Sequence, residues 1–230
     1  MYTNLFIFAL CVVLCCYSYA FQQCRSVSST KLRATRLRAL SLDSVLSKFR
    51  STSGTEKRGK IEGLKTNIRE LSKGKSNGIS ATSEQKEQIV ALARQLEKLS
   101  EERTPSKSKK LDGKWSLIFT TNEGSSAGKL GPFVGQVIQD IDLESKSYVN
   151  YVRLPLVEGG LTATWDVTGP NLWKVLFLSI DFKILGVSLV KKELAQEGIW
   201  RTTFVDDSMR ILYAKGGKNT VTENIYILGK

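Results

Sequence analysis

The sequence has 230 residues, of which 41% are hydrophobic, and a formal net charge of +12; that much apolar content supports a packed core and excludes an intrinsically disordered chain. It contains no histidine, and its four cysteines, Cys11, Cys15, Cys16 and Cys24, all lie near the start. Beyond Cys24 this excludes Cys/His zinc sites, thiol nucleophiles, Ser-His-Asp triads and histidine general bases.

Residues 1–20 carry no charged side chain, run apolar from Leu5 to Cys16 and finish Ser18-Tyr19-Ala20. This is the pattern of a cleavable secretory signal peptide. The alternative, a membrane anchor, needs about 20 apolar residues, more than this run supplies. Residues 21–41 are rich in Ser, Thr and Arg, with Arg25, Lys31, Arg33, Arg36 and Arg38 and no acid before Asp43. A basic, hydroxylated, acid-poor stretch has the composition of an organelle transit peptide. Together the two segments read as the two-part address of a plastid reached through the endomembrane system; plain secretion is the alternative.

Residues 42–110 read as an amphipathic helical region ending in a linker. Leu42, Val45, Leu46 and Phe49 mark a short first helix, and Gly59 is expected to break the next turn. Ile61, Leu64, Ile68 and Leu71 fall on one helical stripe, ended by Gly74 and Gly78. Ile89, Leu92, Leu96 and Leu99 repeat that spacing, and Thr82 with Gln85 three residues later reads as a capping box. The stripes predict a helical hairpin packed on the rest of the protein. This region holds 16 basic and 9 acidic residues, so its polar face is also suited to anionic headgroups. Thr104 to Lys110 is expected to be a polar linker.

From Leu111 onward the period changes to alternation. Strands are predicted at 114–121, 135–142, 147–156, 161–168, 173–182, 188–194, 198–205, 209–214 and 220–228, separated by turn signals at Gly159-Gly160, Gly169-Pro170-Asn171, Asp206-Asp207-Ser208 and Gly216-Gly217. Such short connections favour an antiparallel meander, and eight or nine strands can close into a barrel of one-ligand width; a sandwich is the alternative. Residues 111–230 hold 13 basic and 13 acidic side chains, which removes the electrostatic footprint of nucleic-acid binding.

Within the β-region, Leu161, Ala163, Trp165 and Val167 alternate with polar residues, and Trp200 and Phe204 flank Thr202, which marks inward faces. Residues 172–185 are apolar on both faces, so a cover is expected, and the amphipathic helices are the candidates. Phe119, Trp165, Phe177, Trp200 and Phe204 are the predicted lining of an apolar ligand pocket, although the same residues suit a filled core. Asp206 and Asp207 read as turn formers rather than a catalytic pair, because adjacent strand residues point to opposite faces. Arg210 reads as their structural partner. No catalytic residue, metal ligand or cofactor is expected.

Gly113-Lys114-Trp115 matches the Gly-x-Trp opening of lipocalin-like barrels. The segment from Leu111 to Asn122 (LDGKWSLIFTTN), QVIQDID, and FVDDSMRI from Phe204 to Ile211 resemble the entry, middle and closing motifs of the plastid lipid-associated protein family, also called plastid fibrillins. The resemblance covers roughly residues 42–228. It departs at the linker, where Pro105 stands alone, and after Arg210, where LYAKGGKNT replaces an arginine-glycine turn. It implies a mainly β fold with N-terminal α-helices, in which a helical segment precedes a lipocalin-like antiparallel barrel. It further implies plastoglobule or thylakoid association and binding or transport of quinones, carotenoids or fatty acids, without catalysis. The alternatives are a structural lipid-body or membrane coat without a discrete ligand and an enzyme that uses a buried carboxylate on an apolar substrate. Carried over, the motifs place Gly113, Trp115, Asp206, Asp207 and Arg210 near the barrel closure, with Arg210 stacked on Trp115.

Overall fold

The computed structural model describes residues 54–216 and 223–230. The two-part address and the first short helix, at 42–49, lie outside them. Helix α1 (Gly54–Ser72) crosses the point at which the chain divides into two units, Met1–Gly63 and Leu64–Lys230. Gly59 does not break α1, since a single glycine costs a helix only about 1 kcal/mol. Helix α2 (Ser83–Glu97) begins at the expected capping box: Gln85 N–H donates to the Thr82 hydroxyl, and Gln85 Oε1 accepts from Thr82 N–H.

Between the helices, Ser76, Asn77 and Gly78 all adopt positive φ. At Gly78 (φ +102°) a Cβ would stand 2.4 Å from the Thr120 carbonyl and 3.0 Å from the Phe119 ring. Glycine is required there by conformation and by contact. Asn77 Nδ2 ties the turn to the barrel by donating to the Ala127 and Gly135 carbonyls at 2.9 and 3.0 Å.

Among the described residues ten strands follow: β1 (Gly113–Thr120), β2 (Lys129–Leu130), β3 (Phe133–Val134), β4 (Gln136–Asp142), β5 (Ser147–Arg153), β6 (Val157–Gly169), β7 (Leu172–Ile184), β8 (Val187–Val205), β9 (Met209–Gly216) and β10 (Asn224–Gly229). Eight of them close an antiparallel barrel in the order β1-β10-β9-β8-β7-β6-β5-β4, and β1 pairs with β4 to complete it. The barrel alternative is therefore the correct one, and β2 with β3 forms a separate small hairpin. Gly159-Gly160 is not a turn but the interior of β6, and the two strands expected at 188–194 and 198–205 are one long strand, β8. Pairing of β6 to both β5 and β7, and of β8 to β7 on either side of residues 194–195, overrides the local turn chemistry there.

The segment expected to be a linker instead seals one end of the barrel. Two 3-10 turns, Pro105–Lys107 and Lys109–Leu111, bury Pro105, Ser106, Ser108 and Leu111. The Ser106 carbonyl accepts from Trp173 Nε1 and the Leu111 carbonyl from Trp115 Nε1, both at 2.8 Å. Two indole donors that would otherwise be buried unpaired are thus satisfied by this plug.

From Leu64 onward the helical layer lies against the outside of the barrel. Lys65 Nζ meets Asp206 Oδ2 at 2.8 Å, Arg69 donates to the Ser208 carbonyl at 2.8 Å, and the Thr203 hydroxyl donates to Glu97 at 2.7 Å. Ile68, Ile89, Ala93 and Leu96 are fully buried in this layer. The helices do not cover the outer face of β7, where Leu176 and Leu178 remain exposed.

Candidate functional site: the barrel interior and the trough above it

Directly paired residues in an antiparallel sheet share a face, so the register decides which side chains point inward. Trp115, Leu117, Val137, Tyr148, Ala163, Trp165, Trp173, Val175, Trp200, Leu212 and Leu228 belong to one interior cluster. Its centre is aromatic: Trp165 stacks on Trp173 with centroids 4.2 Å apart, and Tyr148 lies 4.7 Å from Trp200 and 6.2 Å from Trp165. Trp165 and Trp200 therefore lie buried in the closed, plugged half of the barrel.

Phe119 and Phe204 take a different place. The register of β1 shifts between Leu117 and Phe119, and that of β8 between Thr202 and Phe204. Phe119 then pairs with Ile227, the residue before inward Leu228, and Phe204 with Ile211, the residue before inward Leu212. Each bulge inverts the alternation, so both rings are buried outside the interior cluster, on the face that carries the helices.

Above the tryptophans the barrel opens. Among the described residues, β9 pairs with β8 from Gly198 onward, and β1 with β4 from Ile138 onward. The pairing of β4 through β8 continues farther, along Gln136, Arg153, Glu158, Lys183 and Ser188. A curved sheet therefore projects past the closed part as a trough. Its inner face continues the inward set with Val152, Gly159, Leu161, Phe177, Ile180 and Phe182, all half-buried, and the register adds Val190, Lys192 and Gln196 of β8 to the same face. A Cβ on Gly159 would meet nothing within 4 Å, so this strand leaves space in the trough. Of the five aromatic residues expected to line a pocket, Phe177 is the one that the register places on the inner face of the trough.

The trough ends in exposed apolar turns. Leu185 is 73% exposed and Leu156 and Val187 are each 62% exposed. Leu185 N–H donates to the Leu156 carbonyl at 2.9 Å, so the two turns form one tip. Leu185-Gly186 is a two-residue hairpin loop with φ of 51° and 81°. Positive φ at both positions favours Asn, Asp or Gly, and leucine there carries a backbone cost. Arg153, Lys183 and Lys191 lie near the tip together with Glu158 and Asp181.

The motif residues at the other end hold the closure. Gly113 opens β1 at φ +89°. Trp115 is fully buried, and the cation over its ring is Lys230, with Nζ 4.4 Å from the centroid, not Arg210. Lys230 Nζ also donates to the carbonyls of Lys110 and Asp112. Asp206 Oδ1 accepts the N–H groups of Ser208 and Met209, each at 2.8 Å. Burial opposes ionisation of Asp206, but the Lys65 ammonium and those two N–H groups outweigh it and hold its carboxyl below the usual range. Asp207 is exposed and lies 3.8 Å from Lys110. The two carboxylates share no common site.

Arg210 is inside the barrel. It pairs with Val205 and Leu228, is fully buried, stands 5.2 Å over the Trp173 ring, and donates from Nη1 to Gln139 Oε1 at 2.5 Å. Gln139 Nε2 donates to Asn150 Oδ1 at 3.0 Å. Asn150 pairs with Leu161, so this polar row reaches the floor of the trough. Burial lowers the Arg210 pKa to about 9, which leaves it a cation at neutral pH; the same effect raises that of Tyr148. Sequence reasoning missed Tyr148, Gln139 and Asn150. Gln139 was readable, because it stands between Val137 and Ile141 on the inward alternation of β4.

Elsewhere, a shallow crevice on the outer surface is lined by Arg94, Glu97, Lys98, Arg201, Tyr213 and Glu223. Arg201 there is engaged by Glu223 at 2.7 Å and by the Tyr213 ring. No group of metal-ligating residues occurs among the described residues, and no described helix is long and apolar enough to cross a membrane.

A closed eight-stranded antiparallel barrel, plugged at one end and opening into an apolar trough at the other, defines a lipocalin-like protein. The PAP_fibrillin family model matches residues 62–183. A probable plastid-lipid-associated protein 5, chloroplastic, of Arabidopsis thaliana is 30% identical over 166 residues, covering 71% of this chain and 68% of the relative. The chain belongs to the plastid lipid-associated protein (PAP)/fibrillin family. No solved structure matches it.

Proposed function

We propose that this protein binds or transports an apolar plastid lipid of the quinone, carotenoid or fatty-acid class, without catalysis, at plastoglobule or thylakoid membranes. The observation that carries this reading is the apolar trough continuous with an exposed apolar tip. A strained, solvent-facing leucine beside lysines and an arginine suits a lipid surface that takes in apolar side chains and attracts cations. Lipid entering along the tip meets Phe182, Ile180, Leu161 and Phe177 in turn. The family and the chloroplastic relative support a plastid setting, and residues 1–41 supply an address consistent with it.

Lipid extraction of the purified full chain, followed by mass spectrometry, tests the proposal: a prenyl lipid or fatty acid in near-stoichiometric amount is expected, and its absence contradicts it. Leu176, Leu178 and Ile199, apolar and exposed on outer faces, favour a second reading, a structural coat on lipid bodies without a discrete ligand. Replacing Leu161 by Trp fills the trough. Under the coat reading vesicle binding survives and no ligand was ever captured; under the carrier reading the captured lipid is lost. Imaging a fusion of residues 1–53 to a fluorescent protein separates a plastid address from secretion.

A further inference from the structure

The barrel holds a cation that nothing in the fold neutralises. Arg210 is fully buried, its Nε and Nη2 have no hydrogen-bond partner, and among the described residues no carboxylate pairs with it. Its bonded partners are the neutral Gln139 amide and the face of Trp173. A buried guanidinium with two idle donors is among the costliest arrangements a core can contain. The buried Tyr148 hydroxyl, which also lacks a partner, belongs to the same cluster: Tyr148 stacks on Trp165, Trp165 on Trp173, and Arg210 lies over Trp173. Tyr148 and Arg210 each act on the other's ionisation, so three unused donors, one of them on a phenol that remains protonated at neutral pH, lie within electrostatic reach of one another in the interior.

Arg and Tyr donors without an acceptor describe one half of an oxyanion site. The other half of the ligand follows from the surroundings. Gln139, which holds Arg210, bonds to Asn150, and Asn150 pairs with Leu161 on the floor of the trough. A ligand whose anionic group reached Arg210 would leave its remainder against Leu161, Ile180, Phe177 and Phe182.

We propose that Arg210 and Tyr148, with Gln139 fixing the guanidinium, form the head-group site for an amphiphile bearing a carboxylate, whose apolar chain lies in the trough. This rests on the reading that the trough binds lipid, and within that reading it selects the fatty-acid class over neutral quinones and carotenoids. The carboxylate would accept from the guanidinium and from the phenol, supplying the negative charge that the interior lacks.

The test compares oleate with oleyl alcohol, which has the same chain and no charge, in titrations of the delipidated full chain at neutral pH. Oleate is expected to bind at least about tenfold more tightly, as charge-assisted hydrogen bonds require. Arg210→Met should bring oleate down to the affinity of the alcohol and leave the alcohol unchanged. Equal binding of the two ligands by the wild type overturns the head-group site while leaving the lipid-binding reading intact, whereas binding of neither ligand defeats both. Inorganic phosphate forms a third arm. Arg210-dependent phosphate binding without an oleate preference would assign the site to a free oxyanion and overturn the amphiphile. Should Arg210→Met fail to fold, Tyr148→Phe carries the test: a several-fold loss for oleate alone is expected, and an unchanged oleate affinity overturns the proposal.

Discussion

At the scale of single residues, burial and partner count separate structural side chains from those suited to a ligand. Asp206 is structural. Its folded pKa lies below the ordinary value of 3.8, so the stability it contributes is fully present above that pH and is lost as pH falls through the folded value. Asp206→Asn keeps an oxygen for the two N–H groups but loses the Lys65 ion pair. It should cost about 1–2 kcal/mol at neutral pH, allowing for its partial exposure, and should flatten the acid limb of the stability curve. Chemical denaturation across the acid range measures both effects. Leu185 behaves oppositely: Leu185→Asn should raise stability by about 1 kcal/mol by relieving the left-handed conformation, and should weaken flotation with anionic vesicles. A variant that loses stability and floats unchanged would place Leu185 in the fold rather than at the membrane.

Residue-level reading of the sequence was strongest where alternation was clean. Trp165 and Trp200 point inward as their strands predict. Phe119 and Phe204 do not, because a bulge adds one residue to the count and leaves no signature that composition reveals. Arg210 was assigned to the neighbouring turn because arginine is almost never fully buried. Only the register, which brings β9 into one barrel with β4, shows that it meets Gln139.

At the scale of elements, the helix caps and stripes were legible because their signals are local: Thr82 and Gln85 are three residues apart, and Ile89 and Leu96 lie two turns apart on one face. Long-range pairing was not legible. Gly159-Gly160 carries the composition of a turn, yet β5 and β7 hold it in the middle of a strand, where the missing side chain of Gly159 widens the trough. The segment 104–110 has a linker's composition, and its burial follows from two indole donors that need carbonyls. The helix connection gives a sharper test. Gly78→Ala combines a left-handed backbone with a Cβ 2.4 Å from a carbonyl oxygen, and should destabilise the protein by more than about 2 kcal/mol. Thermal unfolding of that variant should show a clear drop, against about 1 kcal/mol for Thr82→Ala at the α2 cap. Equal effects would mean that the turn is not wedged against β1.

At the scale of the whole protein, the fold divides labour along the barrel axis. One end is plugged, wired by indole hydrogen bonds and braced by Lys230 on Trp115; the middle is filled with aromatic rings around Arg210; the far end opens into a trough and an exposed tip. In the proposed complex the ligand's apolar chain lies in the trough rather than among the tryptophans, with Arg210 beneath it. The absence of histidine and of cysteine beyond Cys24 remains the strongest constraint that composition alone imposes on chemistry.

The central claim is that the trough holds a lipid. The most direct measurement is the mass spectrum of lipid extracted from the purified full chain, compared with the Leu161→Trp variant. The account predicts one dominant apolar species near one molecule per chain in the wild type and its loss in the variant. No bound lipid in the wild type, or the same lipid undiminished after the trough is filled, would contradict it.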